Sequence, residues 1–141
     1  MGGYGALKLA LKHPGLFCAA VSHSGAVEVG RRDFTGDTDW AREWRPVFGA
    51  KPQDGPNDLY ALAAKLDPAH PLSLRIDCGV DDFLIEANRA FNAHLTELGV
   101  AHEYAEHPGQ HDWNYWNRHI LDTLAFFGGV LGYEFKPEEH L

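Results

Sequence analysis

The sequence has few cysteines, no long apolar run and fewer basic than acidic residues. Two cysteines in 141 residues are too few for the disulfide framework of a small secreted domain. No apolar run reaches the roughly eighteen residues of a transmembrane helix, and no charged segment precedes an apolar one as in a signal peptide. Twelve Lys and Arg against twenty Asp and Glu give a formal net charge of -8, which argues against nucleic acid and anionic membranes as partners.

The two cysteines, Cys18 and Cys78, each lie in a short apolar run that predicts a strand. We therefore expect two reduced, buried thiols and no disulfide. The cellular location is not fixed by these features. A cytoplasmic location is favoured, on the condition that no leader precedes Met1.

The residues that are present predict an α/β fold. Hydrophobic residues make up 45% of the chain and charged ones 23%, as in ordinary globular proteins. The predicted elements are a first helix to about residue 12, a buried strand over 16–22, a less buried strand over 71–78, a helix over 84–98, a short strand within 100–107 and a final helix capped by Asp112. Strands that alternate with helices form a parallel sheet through right-handed crossovers. We expect residues 1–141 to form one partial domain.

Residues 26–70 interrupt this alternation. They mix charges, aromatic residues and many Pro and Gly breakers, with one clear helix over about 58–66 capped by Asn57. A segment of this length is more than a plain connection, so we predict a lid-like excursion over the sheet edge. Its aromatic side chains either line an acyl pocket or anchor the segment to the sheet, and the second interpretation is favoured.

The first residues read Met-Gly-Gly-Tyr-Gly-Ala-Leu, which is typical of a helix whose N-terminus packs tightly against a strand. They also match the end of a nucleophile elbow, Gly-x-Ser-x-Gly, in which a sharp strand-to-helix turn exposes a serine. If Met1 follows that serine, Gly2 is the last glycine of the motif and the serine stands one position before Met1. An ordinary amphipathic helix with a glycine-rich start is the alternative.

Candidate catalytic side chains follow two of the predicted strands. The acidic pair Asp81 and Asp82 follows one strand and His111 follows the next, so all three belong to the carboxyl edge of the sheet, where α/β proteins carry their sites. Serine, carboxylate and histidine in this chain order form the triad of an acyl-transfer enzyme. His107 is a rival base, but it belongs to the strand end. Ser24 is a rival nucleophile, but it lacks the glycine two positions before it.

Three motifs together resemble a family of serine esterases within the alpha/beta hydrolases, which includes S-formylglutathione hydrolases, esterase D type enzymes and, more distantly, mycolyltransferases. Residues 1–6 resemble the end of its Gly-x-Ser-Met-Gly-Gly-x-Gly-Ala signature. Residues 78–83, Cys-Gly-Val-Asp-Asp-Phe, resemble Cys-Gly-x-x-Asp-Phe, and residues 108–116 resemble Pro-Gly-x-His-Asp-Trp-x-Tyr-Trp. The aspartate of the second motif aligns with Asp82, and the histidine of the third aligns with His111.

The resemblance implies the C-terminal half of an alpha/beta hydrolase, with Asp82 as acid, His111 as base and the Met1 backbone N–H as one oxyanion donor. It implies an acyl-serine mechanism on a small-molecule ester or thioester, with no cofactor and no metal, and a chain that is inactive without its serine. Two alternatives stay open. One is a non-catalytic binding module that self-associates through its exposed sheet edge. The other is an acyltransferase that uses the same residues.

Nine histidines raise the question of metal binding. His94, His102, His107 and His119 show no close i, i+4 pairing with an acidic partner, which is the spacing of a zinc-binding helix. We therefore expect scattered surface histidines and no metal site.

Overall fold

The computed structural model describes residues 1–133 as a three-stranded parallel sheet flanked by helices. The elements are α1 (Gly2–Lys12), β1 (Ala19–His23), α2 (Asp39–Phe48), α3 (Leu59–Ala63), β2 (Ser73–Gly79), α4 (Ile85–Glu97), β3 (His102–His107) and α5 (Trp113–Leu131), with a 3-10 turn at Val29–Arg31. The predicted α/β fold and parallel sheet are confirmed. The prediction of one partial domain over residues 1–141 stays a prediction, and its last eight residues lie outside the described part.

The strand order is β1-β2-β3, so β2 is central and pairs with a neighbour on each side. The sequence predicted the first strand as the more buried one, and this is wrong. The apolar residues Leu16 and Phe17 precede β1 and are 77% and 40% exposed, whereas Ile76 and Cys78 of β2 are fully buried. A strand with hydrogen-bonded neighbours on both sides is covered more completely than an edge strand. Cys18 lies in the same exposed lead-in to β1, which also corrects its predicted burial.

Helices cover both faces of the sheet. Side chains alternate between the faces of a strand, so Ser22 and Ile76 belong to one face and His23 and Asp77 to the other. Helices α1, α3 and α4 contact one another on the first face, while α5 contacts β1 and β2 through residues that bond to His23 and Asp77. No helix within residues 1–133 combines the length and the apolar character needed to cross a bilayer.

The start of α1 packs tightly against the end of β1, as the glycine-rich sequence predicts. A Cβ atom at Gly3 or at Gly25 would overlap the hydroxyl of Ser22, so only glycine fits at these two positions. The Asn88 side chain of α4 donates a hydrogen bond of 3.0 Å to the Gly25 carbonyl. The beginnings of α1 and α4 therefore meet the carboxyl end of β1 at one edge of the sheet.

Residues 26–70 contain more helix than the sequence predicts. Helix α2 lies within them and is capped by Thr38, whose hydroxyl accepts a hydrogen bond from the Ala41 N–H. Pro46 was treated as a breaker, but it lies in the last turn of α2, where its missing N–H costs only one backbone bond. Phe48 packs on Tyr4 of α1 with ring centroids 5.7 Å apart, which agrees with the anchoring interpretation of the aromatics. The lid-like role stays a prediction.

The short helix α3 begins one residue later and ends earlier than predicted. Its cap is Asp58, and Asn57 lies before it; the buried Asp58 carboxylate accepts hydrogen bonds from the backbone N–H groups of Tyr60 and Asp54. A buried carboxylate that accepts two backbone bonds is satisfied on both oxygens, whereas the partly buried amide at position 57 has only one acceptor oxygen.

Two substitutions within α1 test the glycine packing. Gly3→Ala should lower the free energy of unfolding by about 1–3 kcal/mol because the new methyl group overlaps Ser22 and the backbone of Gly25. Gly5→Ala in the same helix meets nothing within 4 Å and should raise it by about 0.5–1 kcal/mol. Urea denaturation followed by circular dichroism measures both, and equal effects of the two substitutions would contradict the close packing.

Candidate active site

Asp82 and His111 lie in hydrogen-bond contact at the carboxyl edge of the sheet. The distance from His111 Nδ1 to Asp82 Oδ2 is 2.8 Å, and Asp82 Oδ1 accepts a 2.9 Å bond from the Leu84 N–H. The Asp82 side chain is fully buried, while that of His111 is 29% exposed. An ionised carboxylate only accepts, so Nδ1 carries the hydrogen and Nε2 is left as the proton acceptor. The pair therefore has the geometry of an oriented general base.

Backbone contacts fix the two loops that carry this pair. The Val80 N–H donates to the His107 carbonyl at 2.9 Å, and the Asp81 N–H donates to the Gly109 carbonyl at 3.0 Å. A Cβ at Gly79 would overlap the Gly109 carbonyl, and Gly109 itself has a φ of 141°. Both positions thus require glycine, and the turn after β2 is joined directly to the loop after β3.

The rival residues lie elsewhere or are blocked. Asp81 is exposed and its side chain has no hydrogen bond to another described residue. Ser24 is only 1% exposed, so its hydroxyl is not presented to a substrate.

Two further groups lie near the site. Burial, followed by the negative charge of Asp82, raises the pKa of the Cys78 thiol to about 12, so this thiol stays protonated at neutral pH. The Met1 carbonyl accepts a hydrogen bond from the Gly5 N–H at the start of α1; its role as an oxyanion donor stays a prediction.

A second Asp–His pair lies on the face of the sheet that α5 covers, and the sequence analysis missed it. Asp77 of β2 is fully buried and lies 2.8 Å from His23 Nδ1, while His23 Nε2 is bonded to the Thr123 hydroxyl at 2.7 Å. The Tyr115 hydroxyl donates to Asp77 at 2.9 Å. The sequence did hold one sign of this pair: His23 and Asp77 are polar residues near the ends of two consecutive predicted strands.

Tyr115 connects this buried network to the loop of His111. Its ring packs against Gly109, and its hydroxyl is anchored on Asp77. Burial, and then the charge of Asp77, raises the pKa of Tyr115 far above its ordinary value. The first turn of α5, which begins directly after His111, is thereby tied to the central strand.

Aromatic rings surround the His111 imidazole. The Phe83 ring lies 5.0 Å away, and the Trp116 ring lies 5.0 Å away in an edge-to-face arrangement. Phe83 and Trp113 are 80% and 73% exposed, which is unusual for residues of this size. The proton acceptor is therefore bordered by apolar surface that is open to solvent.

Two of the histidines are not scattered surface residues, which corrects the sequence-based expectation. His107 of β3 and His119 of α5 stack with ring centroids 4.0 Å apart, next to Asp122. Sequence spacing gave no sign of this stack because the two histidines come from elements that only the tertiary structure brings together. The expectation of no metal site stays a prediction.

Comparison with known proteins identifies the family of the chain. The family described as "Putative esterase" matches residues 1–127. This chain belongs to that esterase family. An acetyl esterase of Caldicellulosiruptor saccharolyticus is 30% identical over 139 residues, which cover 92% of this chain and 52% of that protein. The resemblance inferred from the three motifs is confirmed.

Solved structures of serine hydrolases agree in fold. The S-formylglutathione hydrolase of Staphylococcus aureus superposes with a TM-score of 0.73 at 30% identity, covering 92% of this chain and 51% of that one. A fluorophosphonate-binding serine hydrolase of the same organism gives 0.70 at 29% identity, with 92% and 51% covered. The esterase-family chain thus spans about half the length of the relatives that it matches.

The substitution Tyr115→Phe tests the tie between α5 and β2. At neutral pH it should lower the free energy of unfolding by about 1.5–3 kcal/mol, because a buried bond to a carboxylate is lost. The pKa of Tyr115 is raised in the folded state, so its contribution is complete below pH 10 and declines above pH 10, where the unfolded tyrosine ionises first. The deficit of the variant should therefore shrink by up to about 1.4 kcal/mol per pH unit above that point.

Urea denaturation at several pH values between 8 and 11 measures this deficit on the Tyr115→Phe variant (the range is set around the ordinary tyrosine pKa of about 10). Tyr133→Phe is the matched control because Tyr133 is half exposed, and this variant should follow the unsubstituted chain. A deficit for Tyr115→Phe that stays constant with pH would contradict the assignment.

Proposed function

We propose that this chain carries the acid and the base of a serine esterase, Asp82 and His111, and that residues preceding Met1 in a longer protein supply the serine. The proposal depends on the 2.8 Å hydrogen bond between His111 and Asp82. The Asp82 carboxylate is buried, accepts a second hydrogen bond from the Leu84 N–H, and lies at the sheet edge where α1 begins. The family's esterases and the chain order of the triad support the proposal.

The chemistry follows from the orientation of the imidazole. Nε2 of His111 takes the proton of the serine hydroxyl as its oxygen attacks the carbonyl carbon of the ester, and Asp82 stabilises the imidazolium. The same proton then goes to the leaving alcohol or thiol, which leaves an acyl-serine. A water molecule, deprotonated by His111 in turn, attacks the acyl carbon; the bond to the serine oxygen breaks, the proton passes from His111 to that oxygen, and the acid is released. Acyl transfer differs only in that an alcohol takes the place of this water.

The packing of α1 supports a place for the serine. A strand that enters α1 through a sharp turn and continues by a right-handed crossover into β1 runs parallel to β1 at its free edge. Along that edge lies a groove of about 280 Å³ with mostly apolar walls, which include Leu9, Phe17 and Phe127. A strand in this groove would bring the serine to the carboxyl edge of the sheet and the Met1 amide into the oxyanion site.

The rim of the site favours a substrate with an apolar part. Phe83 borders His111 directly, and Trp113 packs on the Trp116 ring that contacts His111. Both Phe83 and Trp113 are exposed and offer aromatic surface against which an acyl chain or an alcohol group packs. Relatives named acetyl esterase and S-formylglutathione hydrolase act, by their names, on a short acyl ester and a thioester. We propose a short-chain ester or thioester as the substrate class, with no metal or cofactor in the reaction.

The test compares this chain with a version extended at its N-terminus by the in-frame upstream sequence of its own gene. The 141-residue chain should neither hydrolyse p-nitrophenyl acetate nor react with a fluorophosphonate probe. The extended protein should do both, and His111→Ala in it should lower kcat by about 10³-fold or more because the serine loses its base.

Matched controls come from neighbouring residues. Asp82→Asn should lower kcat strongly, whereas Asp81→Asn, an exposed neighbour, should leave it nearly unchanged. His70→Ala controls for the loss of any histidine, because His70 lies near the opposite end of β2. Full activity in the His111→Ala variant would rule out His111 as the general base. A stop codon directly upstream of Met1 in the gene would favour the alternative of a non-catalytic binding module.

The free edge of β1 also supports self-association of the 141-residue chain. Leu9 in the groove is 51% exposed, and an unpaired strand beside apolar surface favours pairing with another copy. We expect the chain to elute from gel filtration above its monomer size at micromolar concentration. Leu9→Lys should shift it towards the monomer, and an unshifted elution would place the contact elsewhere.

A further inference from the structure

Three side chains of kinds that ligate metal ions converge between β3 and α5, outside the pair of Asp82 and His111. His119 Nδ1 lies 3.0 Å from Asp122 Oδ2, and His107 Nε2 lies 3.9 Å from the same oxygen. One ligand atom from each of the three residues falls within 4.8 Å of the others. The three come from the last residue of an edge strand and from adjacent turns of a helix.

The local polar contacts leave one nitrogen without a partner. His107 Nε2 is buried and has no hydrogen bond within residues 1–133, and at 3.9 Å the Asp122 carboxylate is too far away to supply one. A buried polar atom without a partner is costly, so such an atom points to an unaccounted ligand. His119 is itself 90% buried, since its side chain is only 10% exposed, and Asp122 is 45% exposed at the mouth of the site.

We propose that His107, His119 and Asp122 bind a divalent transition-metal ion of the Zn²⁺ type, with water in the remaining coordination position. Two neutral imidazole nitrogens and one carboxylate form a common ligand set for such ions. Zn²⁺ holds nitrogen and oxygen ligands at about 2.0–2.2 Å, so the ligand atoms stand roughly 3.4 Å apart around the ion. The distances of 3.0 and 3.9 Å to the shared Asp122 oxygen lie on both sides of that value. The His107 and His119 rings are stacked with their centroids 4.0 Å apart, so binding requires them to turn out of the parallel arrangement until both nitrogens point at the ion.

The position of the site gives the metal a structural consequence. His107 ends β3 and His119 lies in the second turn of α5, so the ion would join both sides of the loop over residues 108–112. That loop carries His111. The bound metal would therefore restrain the loop, and this restraint is measurable whether or not the chain takes part in ester hydrolysis.

Zn²⁺ titration of the full 141-residue chain, produced without a histidine tag and treated with a chelator, tests the binding. Isothermal calorimetry should show one saturable ion per chain. Asp122→Asn and His119→Gln should each weaken the affinity at least about tenfold, because the first removes the negative charge of a ligand and the second removes an imidazole nitrogen. His70→Ala is the matched control: His70 pairs with Asp67 at the same i, i+3 spacing, 3.5 Å apart, and this variant should bind as the unsubstituted chain does.

The outcomes separate a built site from incidental histidine binding. Equal affinity in the Asp122→Asn, His119→Gln and unsubstituted chains, or no saturable binding at all, would overturn the proposal. Asp122 is half exposed, so its replacement keeps the fold, and circular dichroism of each variant verifies this before titration.

Two further readouts report the geometry and its consequence. Co²⁺ in place of Zn²⁺ should give the visible absorption of a four-coordinate ion in the unsubstituted chain and lose it in Asp122→Asn. Amide hydrogen exchange of residues 109–112 should slow when Zn²⁺ is added to the unsubstituted chain but stay the same in that variant. Unchanged exchange in both would refute the restraint of the loop.

Discussion

The hydrogen bond between His111 and Asp82 depends on contacts that have no chemical role of their own. Two neighbouring parallel strands end at the same edge, and the loops beyond them are joined by backbone hydrogen bonds and by the close approach of Gly79 to Gly109. Side chains at those two positions would separate the loops, and the 2.8 Å contact would be lost. The arrangement of the reactive pair is thus a property of the backbone around β2 and β3.

The Asp–His pair on β2 and the Asp–His pair in the loops beyond β2 and β3 differ in how their imidazoles are hydrogen-bonded. In both, a fully buried carboxylate lies 2.8 Å from a histidine Nδ1. The second nitrogen of His23 is taken by Thr123, so that imidazole joins β1, β2 and α5 and has no lone pair for chemistry. The second nitrogen of His111 has no hydrogen bond within residues 1–133 and lies beside aromatic rings, which supports the proposed role of this imidazole as proton acceptor.

Helix α5 contributes to the site in more than one way. The helix begins directly after His111, holds Tyr115 against the central strand, and carries His119 and Asp122 towards the end of β3. The network around Asp77 acts on the loop from inside the sheet, and the proposed metal site acts from its outer edge. With the proposed metal bound, the loop over residues 108–112 would be held from two sides, which is the restraint that the proposed role of His111 as general base requires.

The sequence by itself determined the family, the α/β class, the order of the strands along the chain and the identity of Asp82 and His111 as the residues to examine, because short motifs and apolar periodicity are local properties. Burial could not be predicted as well from the sequence. Leu16, Phe17 and Cys18 look like core residues, yet they are exposed because they precede an edge strand. Helix α2 was missed because local rules overweight Pro46 near its end. Only the tertiary structure decided which polar residues meet, as in the pairing of Asp77 with His23 and the cluster of His107, His119 and Asp122, because these contacts join residues that are far apart in the chain and carry no local spacing.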